Sequence, residues 1–310
     1  MACYDPLNAI RPLAANIDGE RIAPIVIGKV RKDNEPIQPG WERLTLPCGQ
    51  CIGCKIERSR QWAIRNMHEK QMHESSCMLT LTYAPEWLPW GDSLHLPHFQ
   101  NFIKRLRRHI APTKLRFFHC GEYGDIQKRP HYHALLYGYG FPDRTSRGTR
   151  NGFPIWGSDT VTRLWSDPKT GSSYGRHEIG DISFESAAYV ARYILKKITG
   201  ARADDHYAGR DPEYVTMSRR PGIGRPWLEK HKTEVYPSDS VIARGIPMRP
   251  PRYYDQVWEL ATDERTWRIQ QKIIAQRRAK RNPETETMKH RHDSNVIAET
   301  RANLKRREID

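Results

Sequence analysis

"RPHYHALLYG", residues 129–138, places two histidines one residue apart at the head of an apolar run. Read as a β-strand, its period of two sends His131, His133 and Leu135 to one face and Tyr132, Ala134 and Leu136 to the other. Two imidazoles side by side can share a metal ion. Taken alone, they can equally be half-buried histidines bonded to the backbone, so the choice between these readings rests on the rest of the chain.

Strands and helices alternate around this stretch. "SSCMLTLTYAP" has a strand period that Pro85 ends, and "TKLRFFHCGEYG" reads as a strand joined to the histidine strand by "DIQKRP". "ERSRQWAIRNMHEKQMHE", residues 57–74, carries Trp62, Ile64, Met67 and Met72 as an imperfect apolar stripe, which predicts a helix. "LPHFQNFIKRLRRHI" predicts a second helix with Pro97 in its first turn and Phe99, Phe102, Ile103 and Leu106 buried. Its opposite face carries Lys104, Arg105, Arg107 and Arg108. From Phe141 to about Gly180 the pattern supports a short helix at "DTVTRLW" and nothing more regular. "DISFESAAYVARYILKKI" reads as a strand end followed by a helix.

The 310 residues include 51 Lys and Arg against 36 Asp and Glu, a net charge of +15, with nine Trp and fourteen Tyr. A basic, aromatic-rich chain attracts and stacks nucleic acid, and its aromatic content separates it from a disordered basic tail. No apolar run approaches the roughly 18 residues of a membrane span, and the N-terminus has no signal-peptide pattern. The expected setting is therefore a reducing cytoplasm with no membrane partner. Residues 1–58 read as a Cys-rich arm, 59–235 as the main domain, and 236–310 as a basic, largely helical extension.

In "PCGQCIGC", residues 47–54, Cys48, Cys51 and Cys54 follow a C-x2-C-x2-C spacing. Three reduced thiols this close suggest a structural Zn²⁺ whose fourth ligand is Cys3 or His68. An iron–sulfur cluster ranks lower, because no further cysteine follows before Cys77. Cys77 and Cys120 sit in apolar strands and read as core residues.

In "ESAAYVARYILKK", Tyr189 and Tyr193 are four residues apart and so lie one turn apart on one helical face. Lys196 and Lys197 follow within a turn. Core packing explains such a pair on its own; a metal site in the same domain gives it a chemical use.

The order "LTLTY" (79–83), "RPHYHALLYG" (129–138) and "YVARYILKK" (189–197) resembles the three motifs of the HUH endonucleases that initiate rolling-circle replication. More narrowly it resembles the replication initiators of the microviruses in the gokushovirus branch. "PCGQCIGC", "ERSRQWAIR" and "SRRPGIG" resemble that branch as well. By composition Leu79–Tyr83 is simply a core strand.

The resemblance implies an α+β HUH-type nuclease domain, a central antiparallel sheet flanked by helices. It implies that His131 and His133 bind a catalytic Mg²⁺ or Mn²⁺, that Tyr189 and Tyr193 are nucleophiles, and that Lys196 or Lys197 contacts DNA phosphate. Replication initiators often add a carboxylate from the preceding strand, and Glu122 is available there; oxygen ligands suit Mg²⁺ and Mn²⁺. Glu122 can also be a surface ion-pair partner, with Asp125 and His119 as weaker ligand candidates. Arg129 joins the basic helix as a DNA-binding candidate.

Tyrosine attack on a phosphodiester leaves a 5′-phosphotyrosyl bond and a free 3′-OH, and a second tyrosine allows a second cut that releases a unit-length circle. The implied partners are single-stranded origin DNA, a host helicase and a host polymerase in the bacterial cytoplasm. A transposase or relaxase with the same chemistry is an alternative, but the motif has no third histidine and the sequence no Walker loop. A non-catalytic single-stranded DNA binding protein, using only basic and aromatic residues, is another.

Overall fold

The computed structural model describes residues 3–13, 24–28, 38–124, 127–150, 152–192, 203–263, 266, 269–270, 273–274 and 294–300. Tyr193, Lys196, Lys197 and Asp125 lie outside the described residues. The chain forms two compact units, residues 1–58 with 284–310, and residues 59–283.

In the first unit three antiparallel strands, β1 (Leu7–Pro12), β2 (Ile25–Gly28) and β3 (Trp41–Leu46), pair in the order β2-β1-β3. The β1–β3 ladder runs from Leu7 opposite Leu46 to Pro12 opposite Trp41. The helix α1 (Ile52–Gln71) then begins, five residues earlier than the apolar stripe predicts. Residues 294–300 are helical.

The second unit is a mixed α+β fold built on one sheet. Its strands are β4 (Ser76–Thr82), β5 (Arg116–Tyr123), β6 (Pro130–Tyr137), β7 (Arg144–Arg150), β8 (Phe153–Ser158), β9 (His177–Gly180) and β10 (Tyr214–Met217). Among the described residues they form a seven-stranded sheet in the order β10-β5-β6-β4-β9-β8-β7, with every pairing antiparallel. β7, β8 and β9 fill the stretch expected to be mostly irregular. Helices cover both faces. On one lie α2 (Leu96–His109) and α3 (Asp159–Leu164), with Phe99, Phe102, Ile103 and Leu106 of α2 packed with Leu79, Leu81, Tyr132 and Leu136 of the sheet. On the other, Ala63 of α1 and Ala187, Val190 and Ala191 of α4 (Phe184–Arg192) pack with Phe118, Cys120 and Leu135.

α1 has a second buried side. Its Ile64 packs with Leu228 and Val235 of α6 (Arg225–Ser238) and Tyr254 of α7 (Arg252–Ala261). Between these layers sits Glu69, whose side chain is fully buried. Its carboxylate accepts hydrogen bonds from His73, from Arg116 on β5 and from the Gly224 N–H at 2.6 Å. Gly224 lies in the "SRRPGIG" segment at φ +78°, and a Cβ there would fall 2.5 Å from the Tyr254 hydroxyl. A side chain at this position is thus excluded by both conformation and space.

Burial by itself raises the Glu69 pKa, but the bonds from His73, Arg116 and Gly224 outweigh it and hold the carboxyl below its ordinary 4.5. A depressed folded pKa contributes stability that is complete above 4.5 and lost as pH falls through the folded value. Glu69→Gln should therefore lower unfolding stability in urea by about 3 kcal/mol at neutral pH, as expected for one partner removed from a buried ion pair. The gap to wild type should narrow as the pH falls below 4.5. A gap that is small at neutral pH, or constant with pH, contradicts this role.

Candidate active site

β6 lies between β5 and β4, and register decides what meets on its faces. Glu122 and Cys120 of β5 stand opposite His131 and His133, while Thr82 and Thr80 of β4 stand opposite the same two histidines on the other side. Directly opposed residues share a face, so His131, His133, Glu122, Thr80 and Thr82 converge on one side of the sheet. It is the side that α1 and α4 cover.

His133 is buried and held at both nitrogens. Nε2 lies 2.8 Å from Glu122 Oε1, and Nδ1 lies 3.0 Å from Thr80 Oγ1. An ionised carboxylate only accepts, so Nε2 carries a proton that it donates to Glu122. His131 Nδ1 lies 2.7 Å from the Arg129 carbonyl oxygen, which can only accept; Nδ1–H is the donor. Burial lowers the His131 pKa, favouring the neutral ring. In that ring Nε2 keeps its lone pair, the tautomer of a metal-ligating imidazole whose other nitrogen is fixed by a backbone carbonyl. Two imidazoles and a carboxylate form a donor set that fits a divalent cation. Among the described residues, however, the three are not gathered as closely as ligands around one ion; His133 and Glu122 are bonded to each other instead.

α4 brings the tyrosine. Its start is set by reciprocal bonds, Ser186 N–H to Ser183 Oγ at 3.1 Å and Ser183 N–H to Ser186 Oγ at 2.8 Å, a serine version of the capping box. With Ala187, Val190 and Ala191 turned to the core, Tyr189 is half-buried, its ring edge-on to His133 with centroids 5.4 Å apart and planes at 85°. The Arg192 guanidinium lies 5.8 Å from the Tyr189 ring centre.

Other candidates stand elsewhere. His119, opposite Ala134, faces the other side of the sheet. It stacks on Phe99 with centroids 3.3 Å apart and bonds to Thr216 at 3.0 Å, so the weak third-ligand reading of His119 is ruled out by register. α2 covers that same far side. Lys104, Arg107 and Arg108 are exposed on its outer surface, and Arg105 donates to the Ser166 carbonyl at 2.9 Å. The basic helix is therefore not beside the histidines. Arg129 donates to the Tyr83 carbonyl at 2.7 Å.

Cys3, Cys48, Cys51 and Cys54 do come together, each sulfur within 4.8 Å of the others. His68, the other candidate fourth ligand, instead bonds to the Tyr254 hydroxyl at 2.9 Å and stacks on Trp227. Burial lowers its pKa to about 3 and keeps it neutral.

Thr80 was not singled out by sequence. The alternation of threonine and leucine in "LTLT" contains the signal, since it puts two hydroxyls on the face opposite Leu79 and Leu81. Among the described residues no helix is long and apolar enough to cross a membrane.

The family model for the replication-associated protein ORF2 matches residues 76–198, which include β4, β6 and α4. The chain is 31% identical over 271 residues to the replication-associated protein VP4 of Bdellovibrio phage phiMH2K, covering 84% of this chain and 80% of that one. It is 31% identical to the replication-associated protein ORF2 of Spiroplasma virus 4, over 69% of this chain and 68% of the relative. With the replication-associated protein ORF4 of Chlamydia phage 1 the identity is 27%, over 67% and 52%. No solved structure matches the chain. These matches bear out the resemblance read from the three motifs.

The hydrogen-bond geometry makes a prediction about the free protein. ¹⁵N spectra of the imidazoles at neutral pH should show His131 protonated at Nδ1 and His133 protonated at Nε2. An Nε2–H tautomer at His131 would contradict the site geometry.

Proposed function

The chain belongs to the family of phage replication-associated proteins, and from that premise we propose that it nicks and rejoins single-stranded DNA at a phage origin to initiate rolling-circle replication. The observation that carries this reading is the Tyr189 ring set edge-on, 5.4 Å away, against a histidine bonded at 2.8 Å to Glu122. A phenol, two imidazoles and a carboxylate on one buried sheet face suit phosphodiester transfer better than simple binding.

In this reading His131, His133 and Glu122 hold a Mg²⁺ or Mn²⁺ ion, which when bound withdraws charge from the scissile phosphate and orients it. The Arg129 carbonyl fixes the His131 ring and Thr80 fixes that of His133, so both nitrogens are aimed before DNA arrives. The tyrosine oxygen attacks phosphorus. The Oη–P bond forms, the P–O3′ bond breaks, the phenol proton leaves to solvent and O3′ is protonated. The 5′-phosphotyrosyl bond conserves the phosphodiester, so rejoining needs no external energy source. Lys196 and Lys197 steady phosphate charge. Tyr189 and Tyr193 alternate, one carrying the 5′ end while the other makes the second cut. The exposed Lys104, Arg107 and Arg108 of α2 hold DNA that passes the far side of the sheet, through phosphate contacts. A host polymerase extends the free 3′-OH, and a host helicase opens the duplex.

Labelled single-stranded origin oligonucleotide incubated with Mn²⁺ should give a denaturant-stable protein–DNA adduct. His131→Ala and His133→Ala should abolish it while sparing most DNA affinity; equal loss of binding and cleavage would indicate a folding role instead. Glu122→Gln should raise the Mn²⁺ concentration for half-maximal cleavage, and Thr80→Val should raise it about tenfold, as removal of an outer-shell partner does. An unchanged titration in both removes them from the site. Tyr189→Phe or Tyr193→Phe alone should leave one adduct-forming nucleophile yet stop repeated release of circles. The double variant should form no adduct and still bind DNA in a salt-dependent way. Sustained circle production by either single variant would overturn the alternation.

A further inference from the structure

The cysteine cluster lies outside the chemistry described above and rests on its own geometry. The antiparallel ladder of β1 and β3 ends at Leu7 opposite Leu46. Cys3 lies just before that end on one strand and Cys48 just after it on the other, so pairing across some forty residues of sequence delivers both sulfurs to one place. The turn from Cys48 to Cys51 uses Gly49 at φ +74°, a conformation that suits glycine. Cys54 follows in the first turn of α1, where unpaired N–H groups favour negative charge.

The sulfurs are dressed as thiolates are. The Cys48 N–H points to Cys3 Sγ at 3.3 Å, the Gln50 and Cys51 N–H groups to Cys48 Sγ at 3.4 and 3.3 Å, and the Tyr4 N–H to Cys51 Sγ at 3.4 Å. Cys51 Sγ and Cys3 Sγ are 3.9 Å apart. Zn–S bonds of about 2.3 Å at tetrahedral angles require sulfur–sulfur edges of about 3.8 Å. All four sulfurs within 4.8 Å of one another fit around one ion, whereas a polynuclear cluster would hold its thiolates farther apart.

A second observation is what the unit lacks. Among the described residues of 1–58, only Ala9, Gly53 and Cys54 are buried, and Ile25 and Val26 are about half exposed. A unit with so small an apolar core needs a staple, and in a reducing compartment a metal ion serves where a disulfide does not persist.

We propose that Cys3, Cys48, Cys51 and Cys54 bind one structural Zn²⁺ as a tetrahedral tetrathiolate centre that holds the N-terminal unit together. Binding displaces the thiol protons to solvent, and its free energy adds to the stability of the strands and the helix start that carry the ligands. The centre has no open position, so it takes no part in DNA cleavage.

Elemental analysis of the full chain, purified without chelator under reducing conditions, should give one zinc per chain. Cys51→Ser and Cys3→Ser should each bring it near zero, while Cys77→Ala, in the sheet core, should leave it unchanged. Because a serine variant could lose zinc simply by unfolding, the wild-type protein exchanged into Co²⁺ gives a second reading. It should show the strong visible bands of tetrahedral cobalt, with sulfur-to-cobalt charge transfer of four-thiolate intensity. Absence of metal, iron in place of zinc, cysteine disulfides, or a weak six-coordinate cobalt spectrum would each overturn the proposal. No DNA enters the measurement, so its outcome is separate from that of the nuclease assay.

Discussion

The register of β6 between β5 and β4 is the constraint on which the rest of the second unit depends. Glu122 meets His131, and Thr80 meets His133, because the two ladders are aligned as they are. A slip of one residue would turn the histidines toward the Phe99 and Phe102 layer and set Tyr132 and Leu136 among the polar groups. That register is strongly held. All of β6 but His131 is buried, and both faces carry large apolar side chains that fit only one way. The sheet's packing energy thus does double duty, fixing the fold and aiming two imidazoles.

The helices complete this arrangement in a definite order. α1 packs on the sheet through Ala63 and on α6 and α7 through Ile64, and the Glu69 carboxylate ties β5 and the Gly224 turn to the same helix. α4 then lies beside α1 on the histidine side, which sets Tyr189 against His133. The polar site is small, and its buried members are paired: His133 with Glu122 and Thr80, His131 with a backbone carbonyl. Groups held in this way cost little to bury and lose little order when a ligand arrives.

Much of this was legible in the sequence, and the rest was hidden for identifiable reasons. The α2 stripe and the strand carrying the histidines were readable because their apolar residues follow one period without interruption. The ribbon of β7 was not: "RTSRGTR" is exposed throughout and has no apolar alternation to read, its arginines held by Trp156, His177 and Glu178 instead. The start of α1 was missed because Gly53 and the cysteines mask the helical pattern there. The basic face of α2 was visible, but which side of the sheet it covers is a matter of topology, and it proved to be the side away from His131 and His133. Cys3 is the opposite case. It was named as a possible partner for the distant "PCGQCIGC", and the β1–β3 ladder supplies the physical reason that it reaches the other three.

The central claim is that the sheet face carrying His131, His133 and Glu122 works with the tyrosines of the α4 segment. The most direct test is to digest the covalent protein–DNA complex with protease and nuclease and locate the modified residue by tandem mass spectrometry. The account predicts a nucleotide 5′-phosphate on Tyr189 or Tyr193 and on no other residue. A phosphodiester linkage to a different tyrosine, or to a serine, would contradict it.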